Sequence, residues 1–308
     1  MKTERSMYDI IIVGGGPAGM TAALYGLRNG KSVLVIEKAG FGGQITYSPR
    51  VENIPSHNVI SGNEFADKFL EQILAQGAEV ELEEVCAVRD EGDKKIVETK
   101  EGSGFEGRTV IIAAGVKHRM LGLEGEDELV GEGISFCAVC DGDFYKGKTV
   151  CVAGGGNSAF VEAVLLADKC EKVIMLQDLP EFTADKKLQD DLFKHDNVVT
   201  YTDTKILALI REQGEFAGVE IEKKTSGEKR VIKCDGMFVA IGLIPQNEPY
   251  AELAELNSYG YFKSGEDCRT KTPGIFVAGD CRSKRVRQVT TACADGAMAA
   301  LAACDYLR

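Results

Sequence analysis

The sequence writes one supersecondary unit twice, and this repetition limits the fold more than any other feature. Residues 8–38, "YDIIIVGGGPAGMTAALYGLRNGKSVLVIEK", run as an apolar β-branched strand, a glycine turn, a small-residue helix and a second buried strand. Gly14, Gly16 and Gly19 give a tight turn, room for a pyrophosphate against the backbone, and close helix–strand packing. Pro17 and Ala18 complete the "GGGPAG" run, and the helix that opens there offers free N–H groups and a positive dipole end to phosphate. Glu37, eighteen residues beyond Gly19, ends the second strand where a ribose diol needs an acceptor. Residues 148–178, "KTVCVAGGGNSAFVEAVLLADKCEKVIMLQD", repeat the pattern without a gap. Gly154, Gly156, Asn157, Ser158 and Ala159 reproduce the fingerprint, and Gln177 stands where Glu37 stands in the first copy. Two Rossmann-like dinucleotide-binding domains of the α/β class follow, with the alternative that the second copy keeps the fold and has lost its site.

A chain of 308 residues has room for two such domains. Its formal net charge of −12 repels nucleic acid and anionic membrane surfaces, so neither is expected as a partner. The N-terminus reaches a strand within about ten residues with no leader pattern, and no apolar run approaches the length of a membrane span. A cytoplasmic protein is expected, in which most of the ten cysteines stay reduced.

Three further stretches carry chemistry-bearing residues. "SFCAVCDGDF" (135–144) spaces Cys137 and Cys140 two residues apart and follows them with Asp141. Such a pair can hold zinc, lock a fold, or shuttle two electrons. "TVIIAAG" (109–115) is a strand that runs into Ala114 and Gly115, small enough for a cofactor to approach closely. "TPGIFVAGDCRSKRVRQVTTACADGAMAALAACDYL" (272–307) is a strand, a Gly279–Asp280 turn, a basic loop and a helix starting near Val289. Asp280 reads either as a cofactor ligand or as a plain turn residue. The basic loop Arg282, Lys284, Arg285 and Arg287 reads as a solvated face, Arg287 excepted.

These motifs together are those of a known family. On "GGGPAG", "GGQ" (42–44), "VEN" (51–53), "CAVCDG" (137–142), "GGGNSA", "DGMFVAIGLIP" (235–245) and "AGDC…RQVTTACADG" (278–296), the chain resembles the low-molecular-weight bacterial-type thioredoxin reductases over essentially its full length. The cysteine pair just ahead of the second fingerprint is the specific mark, because larger relatives carry theirs in the first domain. The resemblance implies a discontinuous FAD domain, about 1–116 with 248–308, and an inserted NAD(P)H-type domain, about 117–247. It places Gly43, Gln44, Asn53, Asp280, Arg287 and Gln288 around the flavin, with the helix dipole at Val289 aimed at the ring, and Glu37 on the adenosine half. It makes Cys137 and Cys140 the redox pair, with Cys140 nearer the flavin, and Asp141 the acid. It also implies a homodimer, and a domain rotation that presents dithiol and nicotinamide to the flavin in turn.

The residues agree with a redox pair better than with zinc. The other cysteines (86, 151, 170, 234, 268, 281, 293, 304) form no second pair, and His57, His118 and His195 show no ligand spacing, so no metal is expected. Those cysteines read mostly as small buried hydrophobes, and His118 as a hinge residue without chemistry. A static disulfide leaves Asp141 unexplained.

The chain departs from the family at the donor end. Members that use NADPH carry a His-Arg-Arg run and a further Arg that grip the 2′-phosphate. Here Gln177, Asp178, Leu179 and Thr183 occupy those positions. Asp178 repels a 2′-phosphate and accepts from a free 2′-OH, which points to NADH over NADPH. Reduced ferredoxin is the alternative donor, and a flavin-bearing redox sensor the alternative of another class. Thioredoxin, or a similar small redoxin, is the expected acceptor; Val139 replaces the Thr usual between the cysteines.

Overall fold

A computed structural model describes residues 7–308. They divide into two compact units. One comprises the residues up to 49, 54–117 and 244–308; the other comprises 50–53 and 118–243.

The first unit is built on strand Tyr8–Val13, whose Ile10, Ile11 and Ile12 are wholly buried. A strand apolar on successive residues must be covered on both faces, as the centre of a parallel sheet is. Ile10 and Ile12 pack toward the helices with Ala22, Ala23 and Ala299, while Ile11 and Val13 pack on the other face with Val97, Tyr250 and Phe262. The parallel core runs Glu79–Leu82, Val33–Glu37, Tyr8–Val13, Gly104–Ile112 and Ile275–Val277. Strand Gly104–Ile112 divides its outer edge. Residues 104–107 pair antiparallel with Lys95–Thr99, which continues to Val85–Asp90, and residues 110–112 pair parallel with Ile275–Val277.

Helix Pro17–Arg28 lies against Val289–Tyr306, and small residues set the spacing. Gly296 faces Ala18 so closely that a Cβ there would run into the Ala18 carbonyl oxygen. This explains the alanine-rich last helix, whose Ala299, Ala300 and Ala303 are wholly buried.

The second unit repeats the plan. Its parallel sheet runs Val198–Tyr201, Lys172–Leu176, Thr149–Ala153, Gly236–Val239 and Ile134–Ser135. A three-stranded antiparallel sheet, Thr204–Glu212, Glu215–Lys223 and Glu228–Lys233, covers one face through Ile206, Val219 and Ile221. Helix Asn157–Ala167 covers the other through Ala159, Phe160 and Ala163. The fold is thus α/β with two Rossmann-like units, the class the repeated fingerprint predicts. Among the described residues no helix is long and apolar enough to cross a membrane.

The two glycine turns differ at one position. In the first, Gly14 sits at φ +107°, and a Cβ on Gly19 would collide with the Gly14 carbonyl oxygen. In the second, Gly154 sits at φ +129°, and Ala159, at the place of Gly19, is accommodated and fully buried. Gly19→Ala therefore forces helix Pro17–Arg28 away from its strand. We expect a loss of about 1–3 kcal/mol in stability, the usual range for overpacking. Ala159→Gly should cost about 1 kcal/mol or less, from helix propensity alone. Thermal unfolding of both variants checks the contrast; equal losses would refute it.

Candidate active site

Cys137 and Cys140 are joined in a disulfide with their Cα atoms 5.3 Å apart. Cys137 caps the one-turn helix Ala138–Asp141, and its sulfur accepts the Cys140 N–H at 3.1 Å. Val139, between them, is exposed. The short strand Ile134–Ser135 delivers Ser135 beneath this turn. Its hydroxyl donates to Asp141 Oδ2 at 2.5 Å and accepts the Cys137 N–H at 3.1 Å. Asp141 Oδ1 is buried with no hydrogen-bond partner among the described residues. Burial raises the Asp141 pKa, against the opposing effect of the Ser135 hydroxyl. The acid that follows the cysteines in sequence is thus built into the bottom of the disulfide turn and biased toward holding a proton.

A second carboxylate, not expected from the sequence, stands at this turn. Glu162, on helix Asn157–Ala167, accepts the Ala138 N–H through Oε2. Burial pushes its pKa up to about 6, with the Ala138 hydrogen bond opposing and the Asp141 charge adding to the rise. Only the packing of the helix against the disulfide turn brings Glu162 there, twenty-two residues after Cys140. Also in this unit, the His118 imidazole stacks on Phe136 with ring centroids 4.3 Å apart. Burial lowers its pKa to about 4, so it is neutral near pH 7.

In the first unit, loops at the carboxyl ends of the parallel strands gather the residues assigned to a dinucleotide, as expected of an open α/β sheet. Gly14 receives support from the strand beside it, donating its N–H to the Ile36 carbonyl at 2.8 Å. The Glu37 carboxylate accepts from Gly15 N at 2.7 Å and Ala39 N at 3.1 Å, which fixes its orientation beside the turn. Gly16 caps helix Pro17–Arg28, with Pro17 at its first position and Ala18 and Gly19 buried. Gly43 and Gln44 open the short helix Gly43–Tyr47, and the Gly42 N–H bonds the Gly15 carbonyl at 2.9 Å. Ala114 and Gly115 follow strand Gly104–Ile112, and Gly279 and Asp280 follow Ile275–Val277. Gln288 caps helix Val289–Tyr306 in a reciprocal box with Thr291. Asn53 belongs to the segment that groups with the second unit.

Asp280 Oδ1 is buried with no hydrogen-bond partner among the described residues; Lys284 Nζ stands 4.0 Å away, and burial raises the Asp280 pKa. The basic loop after it is only in part the solvated face expected from its composition: Arg285 is exposed, whereas Arg282 and Lys284 are not. Arg282 is 8% exposed and bonds Asp295 at 2.9 Å; Lys284 reaches the other Asp295 oxygen, also at 2.9 Å. Asp295 accepts the Gly279 N–H at 3.1 Å as well. The last helix supplies the counter-charge that lets both cations be buried, and the triad holds the Gly279–Asp280 turn. Arg287 lies over the Tyr261 ring, 4.4 Å from its centroid, with Nε 3.4 Å from the Asp280 carbonyl. Cys281 is wholly buried, and burial pushes its thiol up to about 12, so it packs as a small hydrophobe.

The second glycine turn is intact. Gly156 caps helix Asn157–Ala167 without a side-chain acceptor, so the first-turn N–H groups face outward unclaimed by the cap. Asn157 exchanges two hydrogen bonds with Asp185, 2.9 Å from Nδ2 to Oδ2 and 2.7 Å from the Asp185 N–H to Oδ1. Ser158 is exposed and Ala159 buried. Thr183 donates its N–H to the Gly155 carbonyl at 2.9 Å, and buried Gln177 packs under the turn. Asp178 is exposed just after strand Lys172–Leu176. Beside it stands a cation that no sequence motif marks: Lys224 donates to the Asp178 carbonyl at 2.7 Å. It arrives from a hairpin turn forty-six residues away, so no local signal announces it.

Residues 8–296 match the pyridine nucleotide-disulphide oxidoreductase family. Over 306 residues the chain is 39% identical to the thioredoxin reductase of Bacillus subtilis, covering 99% of this chain and 96% of that one. It is 38% identical over 308 residues to a Clostridium pasteurianum protein described as the 34.2 kDa protein in the rubredoxin operon, covering 100% and 99%. The crystal structure of thioredoxin reductase from Streptococcus pyogenes superposes with a TM-score of 0.92 at 38% identity, covering 98% of each chain. A disulfide ahead of the second of two glycine turns and full-length likeness to these enzymes have one meaning: the chain belongs to the pyridine nucleotide-disulphide oxidoreductases, as a flavin-dependent disulfide reductase of the low-molecular-weight thioredoxin reductase type.

Proposed function

We propose that this chain is an NADH-driven, FAD-dependent reductase that passes an electron pair to Cys137–Cys140 and on to thioredoxin or a similar protein disulfide. The discontinuous part, 1–116 with 248–308, is assigned as the FAD domain, and the insert 117–247 as the nicotinamide-type domain. The observation that supports the redox role most directly is the disulfide turn with Asp141 buried beneath it, in the same unit as an intact glycine fingerprint.

The residues present fit the cofactor. Gly14, Gly16 and the first turn of helix Pro17–Arg28 offer backbone to a pyrophosphate, and Glu37 retains lone pairs for a ribose diol. Asp280 Oδ1, buried without a hydrogen-bond partner, is an acceptor that a ribityl hydroxyl satisfies. When bound, the flavin supplies the electron pair. The chain's own part is then to hold the sulfur pair and, through Asp141, whose pKa burial raises, to give a proton to a departing thiolate.

The donor assignment rests on Asp178. A free 2′-OH donates to its carboxylate, whereas a 2′-phosphate meets a like charge. Lys224 nearby is a flexible point charge engaged with a backbone carbonyl, which is not the bidentate grip an arginine run supplies. Anaerobic titration of the purified protein should bleach its flavin with micromolar NADH, and NADPH should require far more. The reverse order would overturn the assignment. The absence of the arginine run makes reduced ferredoxin the third arm of that titration; bleaching by it alone would move the donor outside the pyridine nucleotides. Sustained reduction of thioredoxin with any one donor separates an enzyme from a sensor.

Two substitutions test the parts. Asp178→Arg should shift preference toward NADPH by roughly 10- to 100-fold, the effect of one added charge-assisted hydrogen bond; unchanged preference would detach Asp178 from the donor site. Cys140→Ser should abolish disulfide reductase activity, and Asp141→Asn should lower it by about 10²–10⁴-fold with flavin content unchanged. Full activity in either would sink the corresponding role.

A further inference from the structure

Glu162 is a half-buried acid to which the electron relay gives no task. Its carboxylate closes the disulfide turn from below, through the Ala138 N–H, while Asp141 closes it from the other end, through Ser135 and the chain reversal after Cys140. The turn that carries the redox pair is therefore held by two carboxylates, Glu162 through the Ala138 N–H and Asp141 through Ser135. From these contacts we infer that Glu162 is a positioning residue of the dithiol centre, which takes up a proton when the Cys137–Cys140 bond is reduced and releases it when the bond re-forms. This rests on the redox reading of that disulfide and deepens it.

The balance is simple. Reduction breaks one S–S bond and places an electron pair on the two sulfurs; the pair comes from the reduced flavin in the enzyme, or from a dithiol reagent in a test. One sulfur takes a proton from Asp141 and becomes a thiol, and the other stays a thiolate in the turn that Glu162 bonds; that like charge disfavours the ionised form of Glu162. A proton from water then binds the Glu162 carboxylate. Oxidation by a protein disulfide reverses each step.

Other charged groups do not cancel this effect. From the disulfide turn, Asp141 faces Glu162 and its charge acts in the same direction. Tyr145, close to Asp141, is held neutral, its pKa pushed up to about 12 by burial. Asp143 is paired with Lys169 at 2.9 Å. On helix Lys186–Leu192, Lys186 is paired with Asp190 at 2.9 Å, and Asp185 before it is held by Asn157. Strand Thr149–Ala153 brings no charged side chain, and Lys172 lies exposed at the far end of its strand. With the disulfide intact, the Glu162 pKa is about 6. Glu162 is thus mostly ionised at neutral pH before reduction, as uptake requires.

The test is the pH dependence of the Cys137–Cys140 equilibrium in the holoprotein. The protein is equilibrated with reduced and oxidised dithiothreitol from pH 5.5 to 8.5, and the reduced fraction is read by alkylation and mass spectrometry of the peptide that carries both cysteines. By linkage, each extra proton bound on reduction makes the equilibrium constant fall tenfold more per pH unit. We expect the wild-type curve to run parallel to that of Glu162→Gln below about pH 6 and up to tenfold per unit more steeply above it. The Gln variant keeps an oxygen for the Ala138 N–H, so flavin content and thermal stability serve as controls. Parallel curves over the whole range would show a packing role only and overturn the inference. Should the Gln variant fail to fold, Asp141→Asn still decides the matter. Reduction of that variant at pH 7, with the Asp141 carboxyl removed, must produce a protonated-carboxyl infrared band, and its absence would refute proton uptake at Glu162. A bridge that dithiothreitol leaves intact at every pH would sink the redox reading itself.

Discussion

Backbone touching backbone at a glycine turn is the contact on which both units depend. In each, the first glycine of the fingerprint donates its N–H to the neighbouring strand, Gly14 to Ile36 and Gly154 to Leu176, both at 2.8 Å. Each also lies so close to the next loop, at Ala113 and Ala240, that a side chain would not fit. These contacts bring the carboxyl ends of the parallel strands and the helix N-terminus to one place. A phosphate can then be met by main-chain donors, without a cationic side chain. The difference between the copies at Gly19 and Ala159 shows how narrow the tolerance is: one methyl group decides how near the helix lies to its turn.

In the second unit one eleven-residue helix serves two sites. The amino end of Asn157–Ala167 belongs to the glycine turn, and Glu162, just over one turn further along, closes the disulfide turn. The second glycine turn and the Glu162 contact that closes the disulfide turn are thus carried by a single helix. Their mutual placement is set by helix geometry, about 1.5 Å per residue, and no flexible loop intervenes. This makes the site precise in the way that sites built on regular elements are.

The first unit solves a different problem, which is to keep charge buried near the end of its sheet. Arg282 and Lys284 both close on Asp295, with side chains 10%, 11% and 14% exposed. Breaking such a cluster leaves an unpaired buried charge, which is far more costly than the intact cluster is stabilising. Its structural effect is local. Asp295 also takes the Gly279 N–H, so the turn that carries Asp280 is held from the helix side, and the free lone pairs of Asp280 Oδ1 keep their aim.

The sequence by itself determined the two nucleotide-binding folds, since runs such as Ile10–Val13 and Val150–Ala153 alternate onto two buried faces and the fingerprint glycines permit only one kind of turn. It also placed the cysteines and Asp141 together, because they are neighbours along the chain. Glu162, Lys224 and Asp295 were not legible. Each reaches its partner across a distance in sequence, so its meaning depends on which helix or hairpin packs where. The same holds for Arg282 and Lys284, whose composition suggested a wet loop. Whether a cation is solvated or buried depends on a counter-charge delivered by another element, and only the tertiary structure delivers it.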